Sequence, residues 1–170
     1  MRTAKVVVLP YDEAWKSDFE KIKSEIVEAL GELAIAVEHV GSTSVCGMSA
    51  KPCIDIDVVI KDYSVFSDVV DKLNSIGYIH EGDLGIKDRE AFTYSDKPHL
   101  QNHHLYVCPE YSAELFRHIK FRDFLCTSPE SARKYSLVKE TAAKLFCDDI
   151  DKYIEYKTPC IEELYKLCGL

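Results

Sequence analysis

The sequence predicts an α/β (α+β) protein whose C-terminal third is helical, and three patterns support this fold class. Residues 53–60 alternate between apolar and mainly polar positions, as expected of a strand with one buried face. Apolar residues between Asp12 and Gly31 recur at steps of three and four, which is typical of an amphipathic helix. Beyond Pro109 the apolar spacing is helical again, so the predicted strands all lie in the first two thirds of the chain.

The remaining elements are predicted from the same spacing rules and from turn residues. Pro129 and Pro159 each follow a hydroxyl residue, a pairing that favours a helix start. Pro98 lies in a polar segment between two strand candidates, so an antiparallel hairpin is expected there. In chain order, the further predicted elements are a strand over 34–40, a turn over 41–44, a helix over 66–73, a short strand over 78–80, strands over 89–94 and 103–108, and helices over 115–125, 128–145 and 158–168.

Length and composition limit the possible classes of protein. The chain has 170 residues, of which 46% are hydrophobic and 29% are charged, and these values predict a single globular domain over residues 1–170. The net charge of −8 disfavours general binding to nucleic acid or to an anionic membrane. An anionic ligand would therefore need a local basic patch.

The sequence also carries signals about compartment. No apolar run approaches the ~20 residues of a membrane helix, and the first residues become polar too early for a signal peptide. We therefore expect no membrane association and a cytoplasmic location. The seven cysteines are scattered, with neither a CxxC pair nor zinc-ligand spacing, and this predicts reduced thiols that mainly serve packing.

Two carboxylates on the predicted strand 53–60 are the most informative residues for function. Asp55 and Asp57 are separated by one residue, so a strand places both side chains on one face, with their Cα atoms roughly 6.6 Å apart. Two like charges this close repel each other unless a cation or hydrogen-bond donors compensate them. Mg²⁺ suits such a pair because it prefers oxygen ligands and is commonly held by one or two carboxylates, and Mn²⁺ is the alternative ion.

A turn upstream of the carboxylates supplies groups that suit phosphate. Gly41, Ser42, Thr43 and Ser44 offer backbone N–H groups and hydroxyls, although hydroxyl residues in such a turn can also act as simple helix caps. Lys51 precedes the acidic strand, where it could neutralise phosphate or Asp55. The sequence therefore predicts a phosphate-binding turn beside a pair of metal-binding acids.

These residues resemble those of a known family. Gly-Ser followed about a dozen residues later by Asp-x-Asp on a strand is similar to the signature of the nucleotidyltransferase superfamily related to DNA polymerase β. More narrowly, the ordered series of motifs resembles the GrpB family along nearly the whole chain. The matching segments are residues 38–45, 50–56, 77–78, 103–107 and 121–125, Tyr135 with Lys139, and Tyr153 with Lys157.

The resemblance implies a nucleotidyltransferase-like fold, with a mixed β-sheet flanked by helices and the turn and acids at one end of the sheet. We therefore expect a metal-dependent nucleotidyltransferase that uses a nucleoside triphosphate and an unidentified hydroxyl acceptor. The alternative is a non-catalytic module that binds a nucleotide or another phosphorylated small molecule. For the enzyme, the expected site residues are Asp55, Asp57 and His104 as the catalytic group, Asp55 and Asp57 as the metal ligands, and Gly41, Ser42, Thr43, Ser44, Lys51 and Arg122 as the nucleotide-binding group.

The chain departs from the superfamily pattern at the third carboxylate. Active members carry this acid on a later strand, where it helps to activate the attacking hydroxyl. Here His104 lies in that region, and Tyr106 replaces the second histidine of the family's His-Leu-His pattern. Glu90 or Asp88 could supply the missing carboxylate from the neighbouring strand. Histidine in the third position would have to act as a neutral ligand or base, with a pKa near the ordinary value of about 6.5.

Three basic residues leave two interpretations open. Arg122 lies near the apolar face of its helix and needs an anion, which could be a neighbouring acid such as Asp123 or a ligand phosphate. Lys139 and Lys157 each follow a tyrosine by four residues. Such pairs often lie on a helix surface, but they could also face a ligand.

Overall fold

A five-stranded mixed β-sheet forms the centre of the protein, as the computed structural model describes it for residues 5–170. The strands are β1 (Ala36–Val40), β2 (Ile54–Ile60), β3 (Ile79–Gly82), β4 (Glu90–Thr93) and β5 (His103–Pro109). Their order in the sheet is β1-β2-β5-β4-β3. Only β2 and β5 run parallel, and the other three neighbouring pairs are antiparallel. The predicted mixed sheet and the hairpin between β4 and β5 are thus confirmed.

Five helices cover the sheet: α1 (Ala14–Leu30), α2 (Phe66–Ser75), α3 (Ala113–Thr127), α4 (Pro129–Leu145) and α5 (Ile150–Cys168). The main core lies between α1, α2 and the apolar face of β2. It contains Ile54, Ile56, Val58 and Ile60, which are all fully buried. The alternation that identified this strand therefore also identified its core face. Asp55 and Asp57 lie on the opposite face, which α3 partly covers.

The helices α3 to α5 form a second core with the segment that follows the turn at residues 42–44. This core contains Val45 and Met48 together with Leu125, Tyr135 and Leu164. It holds the C-terminal helices against the end of the sheet at which the turn lies. Within residues 5–170 no helix is both long and apolar enough to cross a membrane.

The start of the last helix differs from the prediction. Helix α5 begins at Ile150, eight residues before the predicted start at Thr158, and Pro159 lies inside it. Asp149 caps the helix by accepting a hydrogen bond from the N–H of Lys152 at 3.0 Å. The buried face continues through Tyr153, and burial of this ring stabilises the first turns despite the hydrogen bond that proline removes. A proline is a start signal that tertiary packing can override.

Candidate functional site

Asp55 lies where three strands place their side chains together. Its backbone pairs with Val40 on β1 and with His104 on β5. The Nδ1 atom of His104 lies 2.8 Å from Oδ1 of Asp55, and about a third of the aspartate side chain remains exposed. This contact raises the pKa of His104 to about 10, mainly through the hydrogen bond with Asp55. In this contact His104 favours its protonated form, whereas the third-carboxylate role expected for it requires a neutral ring, and that role stays a prediction.

Asp57 is sealed from solvent. Its side chain is 0% exposed, and Oδ2 accepts a hydrogen bond from Nδ1 of His118 on α3 at 2.6 Å. The other imidazole nitrogen of His118 lies 3.2 Å from the Glu114 carboxylate. Burial raises the pKa of Asp57, while the hydrogen bond and charge of His118 lower it. Oδ1 of Asp57 is buried without a hydrogen-bond partner, so one carboxylate oxygen is left for another donor or a cation.

Gly41 brings the turn into contact with Asp55. Its φ of +73° with ψ of −176° falls in a region that only glycine adopts readily. A Cβ atom built at this position would lie 2.2 Å from Oδ2 of Asp55, well inside van der Waals contact. The sequence Val40-Gly41 therefore allows the backbone to pass directly beside the carboxylate.

The three hydroxyl residues after Gly41 have different surroundings. They form a single turn of 3₁₀ helix over Ser42–Ser44. Thr43 is buried, with Oγ1 2.9 Å from Nε2 of His39, and Ser44 donates its hydroxyl to the carbonyl of Gly41. These two side chains hold the turn, whereas Ser42 faces the cavities next to Asp55. Of the predicted phosphate-binding hydroxyl residues, Ser42 and Thr43 line the cavity next to Asp55, and Ser42 also lines the neighbouring one.

Three lysines from different segments surround one of these cavities, which has a volume of about 190 Å³. Lys51 comes from the segment before β2, Lys139 from α4 and Lys157 from α5. Asp55 and Ser42 line the same cavity. Burial lowers the pKa of both Lys139 and Lys157. Repulsion between the lysines adds to this effect, because the charge of Lys157 lowers the pKa of Lys139 and the charge of Lys51 lowers the pKa of Lys157. This local basic patch lies inside an acidic protein.

Lys139 is the most unusual of the three lysines. Its residue surface is 2% exposed, and its Nζ atom has no hydrogen-bond partner among the described residues. The ammonium lies 4.4 Å from the ring centroid of Tyr135, so the aromatic face stabilises its charge. Burial and, to a smaller extent, the charge of Lys157 lower the pKa of Lys139 to about 7. The interpretation that this lysine lies on a helix surface is wrong.

Arg122 is already paired with carboxylates. Its Nη1 atom donates to Oε2 of Glu38 at 2.7 Å and to the carbonyl of His39 at 3.1 Å, and Nε donates to Asp123 at 2.9 Å. The structure thus shows the structural pairing that was one of the two interpretations. The guanidinium also borders a second cavity of about 380 Å³, next to Ser42, Asp55 and His118. It links α3 to β1 at the edge of the candidate site.

Neither candidate for a third carboxylate faces the acid pair. Asp57, Tyr106 and Ala91 are aligned across three strands, so Glu90 points to the other face of the sheet. There it hydrogen-bonds with His80 at 2.6 Å and with Tyr63 at 3.1 Å. Asp88 lies in the loop before β4, where its charge acts on Tyr63. Tyr106, stacked under Arg89 at 4.3 Å, occupies the position beside Asp57.

The sequence predicted most of the residues that lie in this site, but it did not predict two of them. The turn at Gly41, both aspartates, Lys51 and His104 all lie at one end of the sheet, as expected. His118 and Glu114 were missed, although they hold Asp57. Their spacing of four residues on a helix is a detectable signal. It could not be assigned a function, because nothing in the sequence shows which face of α3 meets β2.

Comparison with solved structures identifies the fold of this chain. The structure is similar to that of the Cid1 poly(U) polymerase with MgGTP bound, with a TM-score of 0.54 over 79% of this chain and 44% of that chain. The sequences are 11% identical, so this similarity shows the fold alone. The chain has the nucleotidyltransferase fold, as the sequence predicted.

The chain belongs to the GrpB family. The family model described as GrpB protein matches residues 5–167. The crystal structure of the conserved protein GrpB from Enterococcus faecalis matches 96% of this chain and 100% of that chain, with a TM-score of 0.80 and 29% sequence identity. The protein YqkA of Bacillus subtilis is 30% identical over 158 residues, and the chain spans 46% of the length of YqkA.

Proposed function

We propose that this protein is a metal-dependent nucleotidyltransferase that transfers a nucleotidyl group from a nucleoside triphosphate to a hydroxyl acceptor. The observation that carries the proposal is the buried ammonium of Lys139, which has no hydrogen-bond partner among the described residues and borders the same cavity as Asp55 and Ser42. A buried charge is costly unless an anion compensates it. A bound polyphosphate would supply that anion.

The acid pair suits a hard divalent cation. The partnerless Oδ1 of Asp57 and the partly exposed carboxylate of Asp55 offer oxygen ligands on one strand face, and Mg²⁺ or Mn²⁺ prefers such ligands. When bound there, the ion would offset the charge of the triphosphate during transfer. The protein's own contribution is to orient the phosphates: Ser42 and the turn at Gly41 hydrogen-bond to phosphate oxygens, and the three lysines neutralise them. Arg122 keeps the edge of the site in place through Glu38.

The acceptor would bind beyond His104. A cavity of about 580 Å³ begins at Lys51 and His104 and extends along β5 and β4 past Tyr106 and Thr93. An acceptor hydroxyl at its inner end would face the α-phosphate of a nucleotide held by the lysines. Attack in line on the α-phosphorus would form the new phosphorus–oxygen bond and release pyrophosphate.

The alternative function is a non-catalytic module that binds a nucleotide or another phosphorylated small molecule. The arrangement of β5 favours it, because His104 and Tyr106 lie beside the two aspartates where an active enzyme of this superfamily carries an acid. Glu90, the nearest acid on β4, faces away. This alternative retains the lysines and the turn and dispenses with transfer.

Calorimetric titration with ATP, GTP, CTP and UTP, with and without Mg²⁺, tests both functions. We expect binding that requires Mg²⁺ and is lost in Asp55→Asn and in Lys139→Met. Lys144→Met, which removes an exposed charge from the same helix, is the matched control and should bind like the wild type. Nucleotide binding that is independent of Mg²⁺ and of both variants would contradict the site.

Release of pyrophosphate with a panel of hydroxyl acceptors then separates the enzyme from the module. Release that depends on both Asp55 and an added acceptor supports transfer. Binding without release across the panel favours the module.

A further inference from the structure

Three donor groups of different chemistry meet at the start of β2. They are the thiol of Cys53, the carboxylate of Asp55 and the imidazole of His104. One ligand atom from each residue can be chosen so that all of them lie within 4.8 Å of one another. The three cysteine, aspartate and histidine side chains also border the cavity that the lysines surround.

Strand geometry explains why these groups converge. Cys53 and Asp55 are two residues apart, so their side chains emerge on the same face. His104 is directly opposite Asp55 on the parallel neighbour β5. The backbone of Cys53 is fixed, because its N–H donates to the carbonyl of Lys51 at 2.7 Å. The cluster is therefore held by the sheet and by a tight turn before it.

We propose that Cys53, Asp55 and His104 bind a thiophilic divalent ion of the zinc type. Thiolate, imidazole and carboxylate are the donors that Zn²⁺ uses, whereas Mg²⁺ selects oxygen alone. In a tetrahedral zinc shell, neighbouring donors are about 3.3–3.8 Å apart, so small side-chain rotations bring the three groups to that spacing. The fourth position opens into the lysine-lined cavity, where water or an anion completes the shell.

The sequence did not predict this site, because the three residues lack the spacing of a zinc motif. Asp55 follows Cys53 by two residues at the start of β2, but 49 residues separate Asp55 from His104. Only the parallel pairing of β2 with β5 brings the third ligand into place.

A regulatory consequence follows, and it rests on the proposed function. Asp55 belongs both to this cluster and to the oxygen pair proposed for Mg²⁺. Because Zn²⁺ would occupy the Asp55 carboxylate that the Mg²⁺ site also uses, Zn²⁺ should compete with nucleotide binding that depends on Mg²⁺. Zinc would then act as an inhibitor of the site.

Cobalt substitution tests the zinc site directly. Co²⁺ is added to the full-length, reduced, chelator-treated protein, and the absorption spectrum is recorded. Thiolate coordination gives a thiolate-to-cobalt charge-transfer band in the near ultraviolet, and Zn²⁺ should abolish it. Cys53→Ala should lack the band, whereas Cys46→Ala, which removes an exposed cysteine outside the cluster, should retain it. Absence of the band in the wild type, or its loss in Cys46→Ala, would overturn the proposal.

Zinc affinity and coordination provide a second, independent measurement. In competition with a chromophoric chelator, Cys53→Ala and His104→Ala should each bind Zn²⁺ at least about 100-fold more weakly, since even outer-shell changes commonly cost 10–100-fold. X-ray absorption of the zinc-loaded wild type, which needs no variant to fold, should show one sulfur ligand. No sulfur, or more than one, contradicts the assignment. No nucleotide is present in these assays, so this proposal and the proposed function can fail separately.

Discussion

The acids of β2 and the lysines of the C-terminal helices lie in one site but differ in how their charges are compensated. Asp55 and Asp57 each have a histidine partner, at 2.8 Å and 2.6 Å. Lys139 has no hydrogen-bond partner within residues 5–170, although it is as deeply buried as the core. The protein itself supplies hydrogen-bond partners for both aspartates, whereas no described residue supplies one for the ammonium of Lys139.

This difference indicates what the site lacks. Within the described part of the chain, the carboxylates whose charges act on Lys139 are Asp55, which is bound to His104, and Glu140, which accepts a hydrogen bond from Ser49. The excess positive charge therefore needs an anion from outside the protein. A protein that maintains an uncompensated ammonium at a cost in stability is expected to regain that free energy on binding its ligand.

The close contact between Gly41 and Asp55 lies where the turn meets the acidic strand. A substitution that disrupts this contact should have the largest effect on the free energy of unfolding. Gly41→Ala forces a Cβ atom against Oδ2 of Asp55 and strains a backbone that only glycine adopts readily. We expect the free energy of unfolding to fall by about 3–5 kcal/mol, the combined scale of backbone strain and overpacking. Urea denaturation measures it.

Gly47→Ala is the control for that experiment. Gly47 also has a positive φ, of +81°, but a Cβ atom there has nothing within 4 Å. Its cost should be limited to the backbone strain, about 1–2 kcal/mol. Equal losses in the two variants would show that the contact with Asp55 contributes nothing.

The two histidines should differ in their contribution to stability. His118→Ala leaves the sealed carboxylate of Asp57 without its donor, and we expect a loss of about 2–3 kcal/mol. His104→Ala removes a half-exposed partner of a partly exposed acid, so the loss should be about 0–1 kcal/mol. Adding Asp57→Asn to His118→Ala should recover part of the stability, because it removes the buried charge. A larger loss of stability in His104→Ala than in His118→Ala would contradict the assignment of Asp57 as the sealed acid and Asp55 as the open one.

The fold could be predicted from the sequence because its signals are local. Alternation over residues 53–60 defined β2 and its core face, and the motif series defined the family and with it the mixed sheet. The start of α5 was wrong because burial of Tyr153 outweighs the local signal of Pro159. Local rules fail where a distant contact decides the outcome.

The candidate site was predicted less completely for the same reason. Strand spacing placed Asp55 and Asp57 together, and the Gly-Ser turn was recognised from its residue types. The partners of these residues come from other elements: His118 from α3, Lys139 from α4 and Lys157 from α5. A single sequence does not show which helix faces meet at the end of the sheet, so the charge balance of the site could not be predicted.

Removing the uncompensated charge should stabilise the metal-free protein while weakening ligand binding. Lys139→Met keeps a long side chain against Tyr135 but lacks the ammonium, so we expect a gain of about 1–2 kcal/mol in the free energy of unfolding. The same variant should lose affinity for a nucleoside triphosphate. Lys144→Met, at an exposed position of the same helix, should change neither quantity. A destabilised Lys139→Met would indicate that the ammonium has a structural partner after all.

The pH dependence of stability should carry a smaller but distinct signature of Lys139. The titratable groups whose charges act on its ammonium are Glu140 on α4, Lys157 and Cys160 on α5, and Asp55 on β2. Burial lowers its pKa in the folded protein to about 7, while the unfolded chain has the ordinary value of 10.5. Between these values the unfolded chain binds a proton that the folded chain lacks, so the contribution of Lys139 to the free energy of unfolding rises with pH. The cost of the buried charge is therefore complete below about pH 7 and is lost toward higher pH.

The stability advantage of Lys139→Met over the wild type should accordingly shrink as the pH rises from about 7 to about 9, by no more than about 1.4 kcal/mol per pH unit. Urea denaturation of both proteins at several pH values measures it, and contributions from other titrating groups cancel in the difference. Lys144→Met serves again as the control, since an exposed lysine should give a flat difference. An advantage that is constant or grows over this range would mean that Lys139 remains protonated in the folded protein, held by a counter-charge, and the need for an external anion would lose its main support.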